Sequence, residues 1–145
     1  MIKKLQPEMI DSVMGLWLRA NLRAHDFIGA AYWHSHYDMV RGMLPDAEVY
    51  VFEEGGAVRG FIGLTGDFIE GIFVDAPYQS KGIGKALLDY AKQNRNALSL
   101  RVYKKNVRAA AFYLREGFAA VREQVDENTG EEELVMRWTN DEVEI

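Results

Sequence analysis

The segment from Phe68 to Tyr103 constrains the fold more than any other part of this sequence. A β-rich run over 68–74 is followed by a helical pattern over 82–95, and a second β-rich run covers 98–103. A helix that connects two neighbouring strands of one sheet normally returns the chain so that the strands run parallel. We therefore predict a sheet that contains a parallel pair, with the connecting helix packed against one of its faces.

The flanking parts of the chain supply further strands. Gly55 and Gly56 separate two β-rich runs and predict a tight hairpin, and a closing hairpin is predicted around Asn128, Thr129 and Gly130. Including a short first strand, the additional β-rich runs are 2–5, 49–52, 58–64, 118–125 and 133–139. Together with the central pair they predict about seven strands in one sheet.

Helical periodicity predicts further helices around that sheet. A first helix begins near Pro7, a second lies within 27–44, and one more follows the strand 98–103 and ends at Gly117. In this last helix the apolar spacing predicts a buried stripe that consists of Val107, Ala110, Ala111 and Leu114. The expected fold class is therefore α/β, with a mixed sheet in an α+β arrangement and helices on both faces.

The length and composition of the chain limit its organisation. It has 145 residues without a linker or repeat, so we predict one domain over 1–145 with a frayed acidic end over 140–145. The absence of cysteine excludes disulfides, thiolate metal sites and a cysteine nucleophile. No apolar run approaches the roughly 18 residues of a membrane span, and no secretory signal is recognisable. We expect a cytoplasmic protein that does not bind a membrane.

Positive charge is concentrated in one part of an acidic chain. The formal net charge is −5, which argues against nucleic-acid binding. Between Gln79 and Arg108 there are nevertheless eight basic residues and a single acidic residue, Asp89. Such an island suits a compact polyanionic ligand better than a long duplex. Its position beside a glycine-rich junction favours this interpretation over a solvated, lysine-rich helix face.

That junction has the composition of a phosphate-binding loop. Unpaired N–H groups and the positive end of the helix dipole meet where the helix begins, and glycines let a phosphate approach the backbone. Two familiar motifs do not fit: Ala86 follows Lys85 where a Walker loop needs Ser or Thr, and Leu87 stands where a dinucleotide fingerprint needs glycine. The junction reads Gln79-Ser80-Lys81-Gly82-Ile83-Gly84-Lys85.

The same residues resemble the signature Gln/Arg-x-x-Gly-x-Gly/Ala of the GCN5-related N-acetyltransferases, the GNAT family. Residues 79–84 agree with that signature at every position. The similarity covers roughly 49–138 and includes 72–78 upstream and Asn106, Tyr113 and Gly117-Phe118 downstream. Small bacterial members of the family, peptidyl-lysine N-acetyltransferases among them, are also similar in His25-Asp26-Phe27-Ile28 and Tyr32-Trp33.

The resemblance implies an acyltransferase with acetyl-coenzyme A (acetyl-CoA) as cosubstrate. It implies direct attack by a primary amine within a ternary complex, and the absence of cysteine agrees with a reaction without an acyl-enzyme. No metal is implied, and His34 and His36 lack the further ligands of a metal site. Cofactor contacts are implied at Ile72, Phe73, Val74, Gln79, Ser80, Lys81, Gly82, Ile83, Gly84, Lys85, Asn106, Ala109 and Tyr113.

Three residues are candidates for the chemistry. Tyr113 stands where the resemblance places the general acid that protonates the departing thiolate, although its helical spacing also fits a buried structural tyrosine. The general base stays open between Glu70, on a strand where several family members have an acid, and His25, which titrates near neutral pH. For Glu70 the alternative is a surface glutamate at a strand end, and for His25 the spacing favours a loop histidine with ordinary hydrogen bonds. Asn106 is expected to cap a helix and, by the resemblance, to bind the pantetheine arm.

The acceptor and the partners are not fixed by the sequence. A protein lysine, a protein N-terminus and a small amine are all cationic, so the acidic remainder of the chain would attract any of them. A non-catalytic acyl-CoA sensor would keep the same loop, but the presence of both Tyr113 and Asn106 favours an enzyme. No apolar stripe indicates an interface, so a monomer and a homodimer both stay open.

Overall fold

The computed structural model describes residues 1–140, so 141–145 of the predicted frayed end lie outside the described residues. The helices are α1 (Ile10–Ala24), α2 (Ala30–Met43), α3 (Ile83–Lys92) and α4 (Val107–Arg115). The strands are β1 (Ile2–Lys4), β2 (Glu48–Glu54), β3 (Ala57–Thr65), β4 (Phe68–Val74), β5 (Ala97–Tyr103), β6 (Ala119–Val125) and β7 (Glu132–Thr139). Short 3₁₀ turns occupy Pro7–Met9, Leu44–Asp46 and Ala76–Tyr78.

The seven strands form one mixed sheet in the order β1-β2-β3-β4-β5-β7-β6. Neighbouring strands are antiparallel except for β4 and β5, which run parallel. Helix α3 connects these two strands, so the crossover predicted from the sequence is confirmed. The predicted α/β class, with about seven strands and helices on both faces, is also confirmed.

The alternation of side chains along the strands divides the core into two layers. On one face of the sheet, Val49 and Val51 of β2 pack with the apolar side chains of α1 and α2. On the other face, Ile62 and Leu64 of β3 pack with α3 and α4. The sheet is therefore covered on both sides.

The predicted buried stripe of α4 is wrong at its two ends, whereas Ala110 and Ala111 in its middle are partly buried. Val107 and Leu114 are 71% and 59% exposed, whereas Tyr113 is buried and Phe112 is partly buried against the core. The helix is apolar around most of its circumference, so its spacing fits more than one face. The face with the two aromatic rings is buried because it removes more apolar area from water.

The parallel pairing of β4 and β5 is short because β4 bends away. It contains only two residue pairs, Phe68 with Ser99 and Ile69 with Leu100. The next residue, Glu70, is skipped in the register between β3 and β4, so it forms a β-bulge. A bulge bends its strand. The rest of β4 therefore diverges from β5 at the centre of the sheet.

Candidate functional site

A cleft of about 810 Å³ lies where β4 separates from β5. Its walls come from β4, the loop that precedes α3, α4 and the last turn of α1. The strand wall consists of Ile72, Phe73 and Val74. Because these residues have no pairing with β5, peptide groups on this side of β4 are available to a bound molecule.

The loop before α3 presents backbone N–H groups to the cleft. Gly82 is the N-cap of α3 with a φ of 87°, a conformation that favours glycine, and no side chain caps this helix. The first N–H groups of the helix are therefore unpaired and lie at the positive end of its dipole. The loop is held by Gln79, whose Nε2 donates to the Val74 carbonyl at 3.1 Å. This arrangement suits an anion such as a phosphate.

Basic side chains outnumber acidic ones in the lining of the cleft. Arg108 donates from Nη2 to the Ser80 hydroxyl at 2.8 Å and so fastens α4 to the loop. Lys85 is paired with Asp89 and Glu116 at 3.0 and 3.3 Å. Within the described residues Glu116 is the one acid that lines the cleft, and the basic lining residues are Arg23, Lys85, Lys105, Arg108 and Arg115. The excess of positive charge suits a polyanionic ligand.

Tyr113 lies in the wall of the cleft with its ring in the core. It is 7% exposed and contacts Phe112 and Phe118 edge to face. Burial raises the pKa of the phenol well above its ordinary value of 10.0. The hydroxyl is therefore protonated at neutral pH, the form that a general acid requires, while the raised pKa makes it a weaker acid than an exposed phenol.

Asn106 lines the cleft at the N-terminus of α4. Its Oδ1 accepts a hydrogen bond from the Ala109 N–H at 3.3 Å, so the predicted N-cap is confirmed. Its Nδ2 lies 3.1 Å from Nε2 of His25. Both Asn106 and His25 line the cleft.

His25, directly after α1, lies between two asparagines. Its Nδ1 is 2.9 Å from Oδ1 of Asn21, and its Nε2 contacts Asn106. Burial lowers the pKa of the imidazole to about 4. The ring is therefore neutral at physiological pH and both nitrogens are engaged, which argues against the predicted role of His25 as general base.

Glu70 is not brought together with the other candidates. It is exposed at the bulge and does not line the cleft. Its Oε2 accepts a hydrogen bond from the Thr65 hydroxyl at 2.9 Å. A role of Glu70 as general base stays a prediction, and it would require water between the carboxylate and the cleft.

Most of the predicted cofactor positions converge on the cleft. Lys81 and Ile83 do not line it: the Lys81 ammonium lies over the Tyr78 ring, and Ile83 is buried in the core. The predicted positions that do line the cleft are Ile72, Phe73, Val74, Gln79, Ser80, Gly82, Gly84, Lys85, Asn106, Ala109 and Tyr113.

Sequence reasoning missed the wall that α1 provides. Ala20, Arg23 and Ala24 line the cleft, and Asn21 lies behind them. Nothing in their spacing distinguishes them from any amphipathic helix. Arg115 was also missed, although it lies seven residues after Arg108 and hence on the same side of α4.

Neither a metal cluster nor a membrane-spanning helix is present in residues 1–140. No three His, Asp or Glu side chains converge as metal ligands there. Of the helices in this range, none has the length and apolar character needed to cross a bilayer. His36, one of the two histidines considered for a metal, instead has its Nδ1 2.7 Å from the Tyr32 carbonyl oxygen.

Comparison with known sequences assigns this chain to a family. Residues 45–120 match the model of the acetyltransferase (GNAT) domain. The chain is 35% identical over 140 residues to the peptidyl-lysine N-acetyltransferase YiaC of Escherichia coli (strain K12), which covers 95% of this chain and 96% of YiaC. It is 30% identical over 128 residues to the peptidyl-lysine N-acetyltransferase YjaB of the same organism, which covers 87% of each.

Solved structures show the same architecture. The solution structure of apo YjaB from Escherichia coli superimposes with a TM-score of 0.85 at 27% identity, over 95% of this chain and 96% of YjaB. A GCN5-related N-acetyltransferase from Rhodopseudomonas palustris gives a TM-score of 0.84 over 97% of this chain and 95% of that one. The identity in the second case is 16%, so it supports the fold alone.

Proposed function

The chain belongs to the GNAT family of acetyltransferases, and we propose that it transfers the acetyl group of acetyl-CoA to the side-chain amine of a lysine in a protein. Acetyl transfer follows from the family. The choice of lysine is supported by YiaC and YjaB, which carry the name peptidyl-lysine N-acetyltransferase and match nearly the whole chain. We further propose that residues 1–145 form one catalytic domain that works in the cytoplasm, as a monomer or a homodimer.

The observation that carries the proposal is that Tyr113 lines the same cleft as the uncapped start of α3, which suits an anion. The residues present fit acetyl-CoA. The uncapped start of α3, with Lys85 and Arg108 beside it, suits the pyrophosphate. The backbone N–H groups of Ile72 and Val74, on the side of β4 that has no strand partner, and the amide of Asn106 suit the polar groups of the pantetheine arm.

The chemistry requires that a C–N bond forms while the C–S bond of the thioester breaks. Acetyl-CoA supplies the activated acetyl group, and N–H groups of β4 would polarise its carbonyl. We assign to Tyr113 the donation of its hydroxyl proton to the departing thiolate. The proton that the attacking nitrogen loses as the amide forms returns to the phenolate through solvent. The assignment is supported by the position of the phenol in the wall of the cleft and by its protonated form at physiological pH.

The attacking amine must lose a proton before it reacts. Within the described lining, Glu116 is paired with Lys85 and His25 is neutral with both nitrogens engaged. We therefore propose that the amine releases its proton to water and that the uncharged fraction attacks. Glu70 would assist only through solvent, since its carboxylate is held at Thr65 outside the cleft.

A three-acceptor assay tests the proposed acceptor. The protein is incubated with acetyl-CoA and either an N-terminally blocked lysine peptide, a lysine-free peptide with a free N-terminus, or spermidine, and products are read by mass spectrometry. We expect acetylation of the lysine Nε and a far lower rate with the other two acceptors. Acetylation of spermidine or of the N-terminus alone would contradict the lysine proposal. No product with any acceptor, although CoA binds, would contradict a catalytic role with amines.

A further inference from the structure

Asn21 is a buried polar residue whose side-chain amide is oriented by a hydrogen bond to the backbone. It is 3% exposed and lies near the C-terminal end of α1. Its Nδ2 donates to the carbonyl of Trp17, one turn earlier, at 3.0 Å. Because the amide nitrogen is used there, Oδ1 is the atom that faces Nδ1 of His25. The acceptor oxygen assigns the proton to Nδ1 of the imidazole.

Asn106 fixes the other side of the imidazole in the same way. Its Oδ1 accepts from the Ala109 N–H, so Nδ2 is the atom that faces Nε2 of His25. A donor opposite Nε2 requires a lone pair on that nitrogen. The two asparagines, each oriented by the backbone, thus specify one neutral tautomer of His25 with Nδ1–H.

We propose that Asn21 and His25 are positioning residues that hold the amide of Asn106 in one orientation across the cleft. In that orientation Oδ1 caps α4, one Nδ2 hydrogen is donated to His25, and the second Nδ2 hydrogen is left for the cosubstrate. The proposal rests on the proposed function, because it takes Asn106 to be a contact of the pantetheine arm.

The surroundings of His25 support a positioning role. The hydrogen bond from Asn106 spans 81 residues and connects the end of α1 to the start of α4, two walls of the cleft. The imidazole stacks on Trp33 with a centroid distance of 5.5 Å, and the Tyr103 ring contacts it edge-on at 5.0 Å. The ring plane is therefore fixed by packing as well as by its two hydrogen bonds. Because burial keeps the ring neutral, this arrangement persists at physiological pH.

A double-mutant cycle on CoA affinity tests the proposal. Asn21→Leu removes the acceptor of Nδ1 without touching the cleft, and Asn106→Ala removes the amide itself. We expect each single variant to weaken CoA about tenfold, and the double variant to bind no more weakly than Asn106→Ala, because Asn21 acts through Asn106. The same pattern is expected for the KM of acetyl-CoA. Additive losses would overturn the proposal.

A structural control and a spectroscopic readout accompany the cycle. Val13→Ala truncates a buried residue of the same helix, and we expect it to lower Tm without changing CoA affinity. If Asn21→Leu does not fold, His25→Gln takes its place in the cycle. In the unmodified protein at pH 7, long-range ¹H–¹⁵N spectra should show His25 with its proton on Nδ1. An Nε2–H tautomer or an imidazolium would overturn the proposal. The CoA titrations and the spectra need no acceptor, so they decide it even if no lysine peptide is acetylated.

Discussion

At the scale of single residues, burial shifts the pKa values of Tyr113 and His25, two titratable side chains of the cleft, in opposite directions. It disfavours the charged form of both, so the pKa of Tyr113 rises and the pKa of His25 falls to about 4. The phenol therefore keeps a proton that it can donate, and the imidazole does not take one up. For this reason the proton chemistry is assigned to Tyr113 and not to His25.

Removal of the Tyr113 hydroxyl should slow the chemical step. We expect Tyr113→Phe to lower kcat by roughly 10²-fold or more, the usual contribution of a general acid, and to leave the Kd of CoA within about twofold because the ring still fills its place in the core. Steady-state kinetics and CoA titration measure the two effects. Tyr90→Phe is the matched control, since Tyr90 stacks on Tyr50 away from the cleft. Unchanged kcat in Tyr113→Phe would remove the tyrosine from the mechanism.

The pH dependence reports whether the protein supplies a base. Without one, kcat/KM for a lysine peptide should keep rising from about pH 6.5 to pH 9.5, because the uncharged fraction of an amine with a pKa of about 10.4 increases throughout that range. Glu70→Gln should leave the profile unchanged, since its carboxylate binds Thr65 outside the cleft. A plateau above neutral pH that disappears in Glu70→Gln would instead establish Glu70 as the base.

At the scale of elements, a hydrogen bond between α4 and the loop before α3 helps to hold that loop in its conformation. Arg108 of α4 donates to Ser80, a non-glycine residue with a positive φ of 62°. A side chain in that conformation is strained. The hydrogen bond from α4 therefore stabilises the loop conformation in which the N–H groups at the start of α3 remain accessible.

The contribution of this junction can be measured with two arginines. We expect Arg108→Gln to weaken CoA binding about fivefold to tenfold, or about 1 kcal/mol, with a smaller effect at high salt. Arg101→Gln removes the same charge from another exposed arginine of the basic island, which lies over Phe68 outside the cleft. It should have little effect. Equal losses would show that total charge, and not the position of Arg108, attracts the cosubstrate.

Local signals made part of this architecture predictable. The crossover around α3 and the loop at Gly82 were visible because their residues are adjacent in sequence and limited by backbone geometry. The contact between His25 and Asn106 joins residues 81 positions apart and has no local signal. The face of α4 was wrong because its apolar residues surround the helix and only tertiary packing selects Tyr113. The bulge at Glu70, which opens the cleft, was not predicted either.

At the scale of the whole molecule, His25 connects the two sides of the cleft, so the contacts that shape the cleft also contribute to the stability of the fold. Two core layers on opposite faces of the sheet meet the cleft, and His25 is packed with the layer of α1 and α2 through Trp33 while it bonds α4 through Asn106. Two charged side chains contact aromatic neighbours of His25. The Lys105 ammonium lies over the Phe27 ring, and the Asp126 carboxylate accepts a hydrogen bond from the Tyr103 hydroxyl. Burial is the cause of the lowered pKa of His25. Protonation of this ring therefore lowers the free energy of unfolding.

Acid should destabilise the protein partly through His25. In the unfolded chain a histidine binds its proton near pH 6.5, whereas the folded protein accepts it only near pH 4. Between these values the unfolded state holds more protons, so the free energy of unfolding rises with pH, and the stability is lost as pH falls. The shift corresponds to about 3 kcal/mol over the window. This loss of stability is measured by urea unfolding of the unmodified protein and of His25→Gln at pH 7, 5.5 and 4.5. The other titratable groups contribute equally to the two proteins, so the difference between them reports His25. Between pH 7 and 4.5 the unmodified protein should lose more stability than the variant, and parallel curves would show that His25 titrates as in water.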